Sequence, residues 1–242
     1  MRTSNKIILA TFLTPLVVLT AINLTLYAKY KSGHYVSMKS VQEDRFTRET
    51  LKNIQKVAVY GLNNFNIIAS DSLKLEIEKD GGSHFHYTVS GDSLVIHGDS
   101  IVTRPDGSHD DMRSYQAVNL YVPNGAIVTA NNSDVSLKGN KDSLSAASWN
   151  FSIVNSSSLK LQDNGIEPNQ VYFKDLIIHA AHSSGIELTE HTRVANLQLV
   201  MIESVFTDNG AAIDKLMIDA DKASNLTLKG DNLQRLNSVK QP

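Results

Sequence analysis

The side chains able to do chemistry in this sequence are few, and their spacing says which chemistry to test. His84 and His86 are one residue apart, so on a strand both imidazoles leave the same face, the spacing at which two can meet one metal ion. No third ligand lies at a matching offset, and an exposed polar strand face after Gly81 and Gly82 is the preferred reading. His109, Asp110 and Asp111 offer carboxylates to a cation. Calcium, however, takes about six or more oxygens, and without an Asp-x-Asp-x-Asp-Gly loop the stretch from Arg104 to Asp111 reads as a solvated loop. His179, His182, Glu187, Glu190 and His191 are the densest titratable group, placed to line one face of successive coils. Glu187 and Glu190 would serve a glycosidase only at a suitable separation across a cleft, which sequence spacing does not supply. No nucleophile, base and orienting partner can be assembled, so no catalytic residue, metal ligand or cofactor is assigned.

Four tripeptides centred on Ser72, Ser93, Ser100 and Ser143 have Asp before the serine and Leu or Ile after it. They resemble a bacterial periplasmic O-glycosylation signal. The simpler reading, and the preferred one, is that Asp-Ser makes a turn and the apolar residue begins a strand. Trp149, Phe151, Tyr172 and Phe173 offer rings on which a sugar could stack, but aromatic residues this sparse belong more naturally in the core.

Composition narrows the rest. With 23 Lys and Arg against 25 Asp and Glu, the chain has no field to attract nucleic acid. The absence of cysteine removes disulfides, thiolate nucleophiles, Cys-ligated zinc and a lipid attached through cysteine.

The elements that must position these groups begin with an apolar segment. Ile7 to Ala28 carries no charge, and as a helix it would reach about 33 Å, against roughly 30 Å of hydrocarbon. A cleaved signal peptide is the competitor. Its apolar stretch is usually shorter, and Leu26-Tyr27-Ala28 is a poor cleavage site, so residues 1–31 are expected to be a transmembrane anchor. Arg2 and Lys6 precede the segment while Lys29, Lys31 and Lys39 follow it, a count that leans against export. Residues 32–53 are mixed and charged, as in a spacer, with a short helix expected over Thr47 to Ile54.

From residue 54 short β runs take over, and Leu73, Leu75 and Ile77 alternate strictly. In the second half they repeat. Runs starting at Leu176, Leu197, Leu216 and Leu236 lie 21, 19 and 20 residues apart, and a second series starts at Ser184, Ser204 and Ser224, with forerunners at Ser133 and Ser156. A period near 20 residues with two strand types suits a solenoid of stacked short strands. The chain is therefore expected to be all-β, a parallel β-helix over residues 54–240, with strands and a cap over 54–115 and regular coils over 116–240. An antiparallel sandwich is the alternative.

The segments Ile54-Gln-Lys-Val-Ala-Val-Tyr-Gly61, Phe65-Asn-Ile-Ile-Ala-Ser-Asp-Ser-Leu-Lys-Leu-Glu-Ile77 and Val89-Ser-Gly-Asp-Ser-Leu-Val-Ile96, after an apolar N-terminus, resemble the head GIN domain family of Gram-negative envelope proteins, classed as candidate autotransporter adhesins. The resemblance covers about residues 54–240 and implies a right-handed parallel β-helix exported to the periplasm or cell surface, with no catalytic residue to carry over. It also decides the orientation that charge counting leaves open. The turns here are poor in glycine, which departs from the family pattern.

The expected function is a non-enzymatic, membrane-anchored envelope protein that binds a protein or glycan. A carbohydrate-active β-helix enzyme and a self-assembling scaffold are the alternatives. The partners expected are the membrane, through the N-terminal helix, and a second copy where a solenoid end is left exposed.

Overall fold

The structure, a computed structural model, describes residues 3–33, 45–79, 85–98, 101–103, 109–111, 117–123, 125–162 and 170–238. The chain divides into two compact units, Met1–Arg45 and Phe46–Pro242. Helix α1 (Thr3–Lys31) dominates the first, and its Thr11–Lys31 stretch is long and apolar enough to cross a membrane. Leu, Ile, Val and Phe side chains project all round it, as an apolar solvent allows. The hydroxyls of Thr20 and Thr25 donate to the carbonyls of Leu16 and Ala21, each at 2.8 Å, so these polar groups are satisfied within the helix.

The second unit is mostly β, with two large mixed sheets that do not close into a barrel. The first sheet holds, in spatial order, β1 (Phe46–Thr50), β4 (Lys74–Glu78), β9 (Val118–Val122), β3 (Phe65–Ala69), β11 (Asp134–Lys138), β13 (Ser158–Gln162), β15 (Gly185–Leu188), β17 (Val205–Asp208) and β19 (Asn225–Thr227). The second holds β18 (Ala212–Ala220), β16 (Thr192–Ile202), β14 (Val171–Ala181), β12 (Trp149–Val154), β10 (Ile127–Asn131), β2 (Lys56–Tyr60), β6 (Ser93–Gly98) and β5 (Phe85–Ser90). From β9 onward the chain alternates between the sheets, and from β10 onward successive strands within each sheet pair in parallel.

This register stacks like on like. Phe65, Val135, Leu159, Ile186, Phe206 and Leu226 occupy one column of the first sheet. Val57, Val128, Phe151, Ile178, Leu199 and Ile218 form its counterpart in the second. All but the last member of each column are buried in one continuous core. Period-2 alternation supplies the inward residues, and the approximately 20-residue repeat places them over one another.

Four corners from the second sheet to the first, those after β10, β12, β14 and β16, are made by one or two residues of positive φ followed by a buried serine: Asn132 then Ser133, Asn155 and Ser156 then Ser157, His182 and Ser183 then Ser184, Glu203 then Ser204. The serine hydroxyl donates back to the preceding strand, as from Ser184 to the Ala181 carbonyl at 2.7 Å. The serine carbonyl accepts from the neighbouring strand of the first sheet, as from Val205 N to Ser184 O at 2.9 Å. These side chains take the role that glycine would otherwise fill.

Several local expectations are corrected. Residues 46–50 form β1 and not the start of a helix, because they pair antiparallel with β4 and tertiary pairing overrides local propensity. The run beginning at Leu236 is not a further strand, since α2 (Gly230–Ser238) occupies it. His109–Asp111 is strand β8, paired with β7 (Ile101–Thr103), and not loop backbone. Asp142 caps a 3-10 turn, Ser143–Ser145, and does not lead directly into a strand. β2 and β3 are internal strands with parallel neighbours on both sides.

Candidate functional site

The side-chain groups read from the sequence are dispersed. Glu187 pairs with Lys160 at 3.2 Å and accepts from Asn209 Nδ2 at 3.1 Å, while Glu190 sits 3.3 Å from His191 and Glu203 sits 3.7 Å from His182. Each of these three carboxylates has a basic side chain beside it. No group of three His, Asp or Glu side chains able to hold a metal occurs among the described residues. His84, Ser100 and the side chains of His109, Asp110 and Asp111 lie outside the described residues. The His86 ring stacks on His97 at 5.0 Å, and His97 stacks on Tyr60 at 4.6 Å, so this face carries a ladder of rings across β5, β6 and β2. Trp149, Phe151 and Phe173 are buried in the core, and the Tyr172 hydroxyl donates to Gln170.

The serine candidates differ in setting. Ser72 and Ser143 are on exposed turns, and Leu144 beside the latter is 94% exposed. Ser93 is half-buried and its hydroxyl donates to Asp92 at 3.1 Å. Asp142 accepts from Leu144 N at 3.0 Å, which is the turn chemistry read from the sequence.

What the structure does assemble is a groove of about 850 Å³ where the chain crosses between the sheets. Its floor comes from Leu51, Ile54, Val122, Ala126 and Trp149, all buried, with Ile127 49% exposed at its side. The segment before β2 supplies Leu51 and Ile54, Ala126 immediately precedes β10, and β12 opens on Trp149. Lys52, Gln55, Asn150 and Asp175 supply a polar rim. Asp175 accepts from Ser148 Oγ at 2.8 Å and Asn196 Nδ2 at 2.7 Å, and these bonds hold its carboxyl below the ordinary range. An apolar floor with a fixed anion on the rim suits binding an apolar group attached to a hydrogen-bonding one. The indole N–H of Trp149 is enclosed with no partner among the described residues, so Trp149 contributes ring surface and not a donor.

A second cluster, absent from the sequence reading, sits on β1, β4 and β9. The nearly buried Glu76 accepts from Arg48 Nε at 2.9 Å, Lys74 Nζ at 3.0 Å and Tyr121 OH at 2.9 Å, and Lys74 Nζ lies 4.0 Å from the Tyr121 ring centre. Burial alone would raise the Glu76 pKa, but the three hydrogen bonds outweigh it and the net shift is downward. Burial and the bond to Glu76 push Tyr121 up to about 12, and burial with a hydrogen bond to Glu49 does the same for Tyr87. Cross-strand register is the signal that could have located this cluster, since Arg48 lies opposite Glu76 and Glu76 opposite Asn119.

No protein-family model matches the chain, and no curated protein matches it. Solved structures similar over 76% of this chain include a candidate cell adhesion protein from Clostridium sporogenes (13% identity, 99% of that chain, TM-score 0.32). Two others, also over 76%, are a candidate adhesin from Bacteroides fragilis (10%, 96%, 0.32) and a candidate lipid-binding protein from Parabacteroides distasonis (12%, 96%, 0.28). Likeness of this degree transfers no function to this chain.

Proposed function

We propose that this protein is a non-enzymatic binding module of the cell envelope, anchored in the membrane by α1, with a β domain over residues 54–240 wound as a right-handed parallel β-helix and held outside the cytoplasm. The observation that carries the reading is the groove at β10, β12 and β14, with its buried apolar floor and polar rim. Outside it Glu187 is paired with Lys160 and accepts from Asn209, which suits a structural role for that carboxylate.

The preferred occupant is an apolar side chain of a protein partner, with glycan binding as the competing use of the same faces. Ser72 and Ser143 are the two serines whose exposed turns leave room for a glycan.

The test uses the full chain in detergent and its Ile127→Asp variant, probed with envelope extracts and a glycan array. Binding that Ile127→Asp abolishes, with the thermal midpoint kept, supports the groove. Binding that survives the substitution places recognition elsewhere, and cleavage of a polysaccharide by the wild type overturns the non-enzymatic reading.

A further inference from the structure

The last winding ends on an open edge. β18 closes one side of the second sheet, and β16 is its only strand partner among the described residues. Leu197, Leu199 and Met201 of β16 are buried, but Leu216, Ile218 and Ala220, stacked on them, are only partly covered. On the outer face Lys215, Met217 and Asp219 are exposed, Met217 at 65%. The stretch from Lys215 to Ala220, with the large apolar side chain of Met217 exposed on it, is a template for pairing with another chain.

The geometry points to a second copy of this protein as the occupant, paired antiparallel across β18 about a two-fold axis at Met217. Asp221 N donates to Met201 O at 3.1 Å, which fixes the phase of the strand. The main-chain groups of residues 215, 217 and 219 therefore face β16, and those of Leu216, Ile218 and Ala220 face the edge. In the Met217-centred register Leu216 of each copy lies opposite Ile218 of the other, the hydrogen-bonded position, and both inward side chains gain cover. Lys215 of each copy lies opposite Asp219 of the other, the non-hydrogen-bonded position where side chains approach most closely. Every pairing is thus complementary: two backbone-bonded apolar pairs, two opposite-charge pairs, and Met217 against its own copy. The buried contact of α2, Asn232 Nδ2 to Ala211 O at 2.8 Å, is at the other end of β18. The symmetry is isologous, so assembly stops at the dimer and does not grow into a fibre.

Because the chain contains no cysteine, the register is directly testable. In full-length protein in detergent, Met217→Cys places two thiols across a pair with Cα atoms about 4.5 Å apart, within disulfide reach. It is expected to oxidise to a covalent dimer far faster than Ser143→Cys, on an exposed turn. Lys215→Asp is expected to weaken the dimer about tenfold in sedimentation, and Lys215→Asp with Asp219→Lys to restore it. The proposal is overturned if Met217→Cys cross-links no faster than Ser143→Cys. It is equally overturned by a wild-type chain that stays monomeric, or by a dimer indifferent to Lys215→Asp, which would assign association to α1.

Discussion

Asn232 on α2 donates from Nδ2 to Asp208 at 2.9 Å and to the Ala211 carbonyl at 2.8 Å, and so ties the C-terminal helix to the segment from β17 to β18. Asp208 lies in the column that Leu137, Leu161 and Leu188 fill in β11, β13 and β15, and it is 0% exposed. A carboxylate survives there because Gly210 N, Ala211 N, Lys229 N and Asn232 Nδ2 all donate to it. Asp208→Leu would continue the apolar column yet leave three backbone N–H groups without this acceptor and remove one of the two acceptors of Asn232. It is expected to cost about 3–5 kcal/mol and to expose α2 to hydrogen exchange. A variant as stable as wild type, with α2 still protected, would show that column continuity outweighs the hydrogen bonds.

The Glu76 cluster sets a stability window with two edges. Its carboxyl is depressed below 4.5 in the fold, so its contribution is complete above that value and is lost as pH falls through the folded pKa. Tyr121 and Tyr87 are raised from 10 to about 12, so theirs is complete below pH 10 and is lost as pH climbs through 12. Absorbance at tyrosinate wavelengths should find both among the last of the eight tyrosines to ionise. Glu76→Gln removes the negative partner of Tyr121 and should bring that residue back toward 10 while Tyr87 stays high. An unchanged titration curve in Glu76→Gln would refute the assignment.

Much of the strand pairing is legible in the sequence because stacking acts on local alternation. The starts at Ser184, Ser204 and Ser224 mark three true corners, and Ile186, Phe206 and Leu226 lie in register as the repeat implies. The forerunner at Ser156 is one residue early, since Ser157 takes the buried slot and Ser156 is a positive-φ corner residue. What escapes is whatever depends on distant partners. β1 is a strand only because β4 lies beside it, and the groove at Trp149 draws on segments from Leu51 to Ile177. The neighbours of β2 are strands laid down later, β6 on one side and β10 on the other, an order no linear period encodes.

Two glycines with opposite surroundings test whether the groove wall is as closely built as it looks. At Gly125 φ is +74°, and an added Cβ would lie 2.0 Å from the Ser148 carbonyl oxygen, so Gly125→Ala carries both backbone strain and a clash with main chain. A loss of about 2–4 kcal/mol and a disturbed groove are expected. Gly185 has no positive φ and nothing within 4 Å of the added atom. Gly185→Ala should be neutral or stabilising by about 0.4–1 kcal/mol through the unfolded chain. Denaturant midpoints that rank the two variants the other way would contradict this account of the crossover.

The charges flanking α1 and the envelope reading disagree about direction, and a single introduced thiol decides between them. Arg2 and Lys6 lie before the apolar stretch, and Lys29 and Lys31 close it, so positive charge is not concentrated on the N-terminal side. A β domain outside the cytoplasm therefore needs export to override the weak charge preference, which is feasible because long translocated domains are set largely by other signals. Ser143→Cys in the cysteine-free chain puts the only thiol on an exposed turn away from the groove. A membrane-impermeant maleimide applied to intact spheroplasts should label it as fully as after lysis. Labelling that appears only on lysis would place the domain in the cytoplasm and sink the envelope function with it.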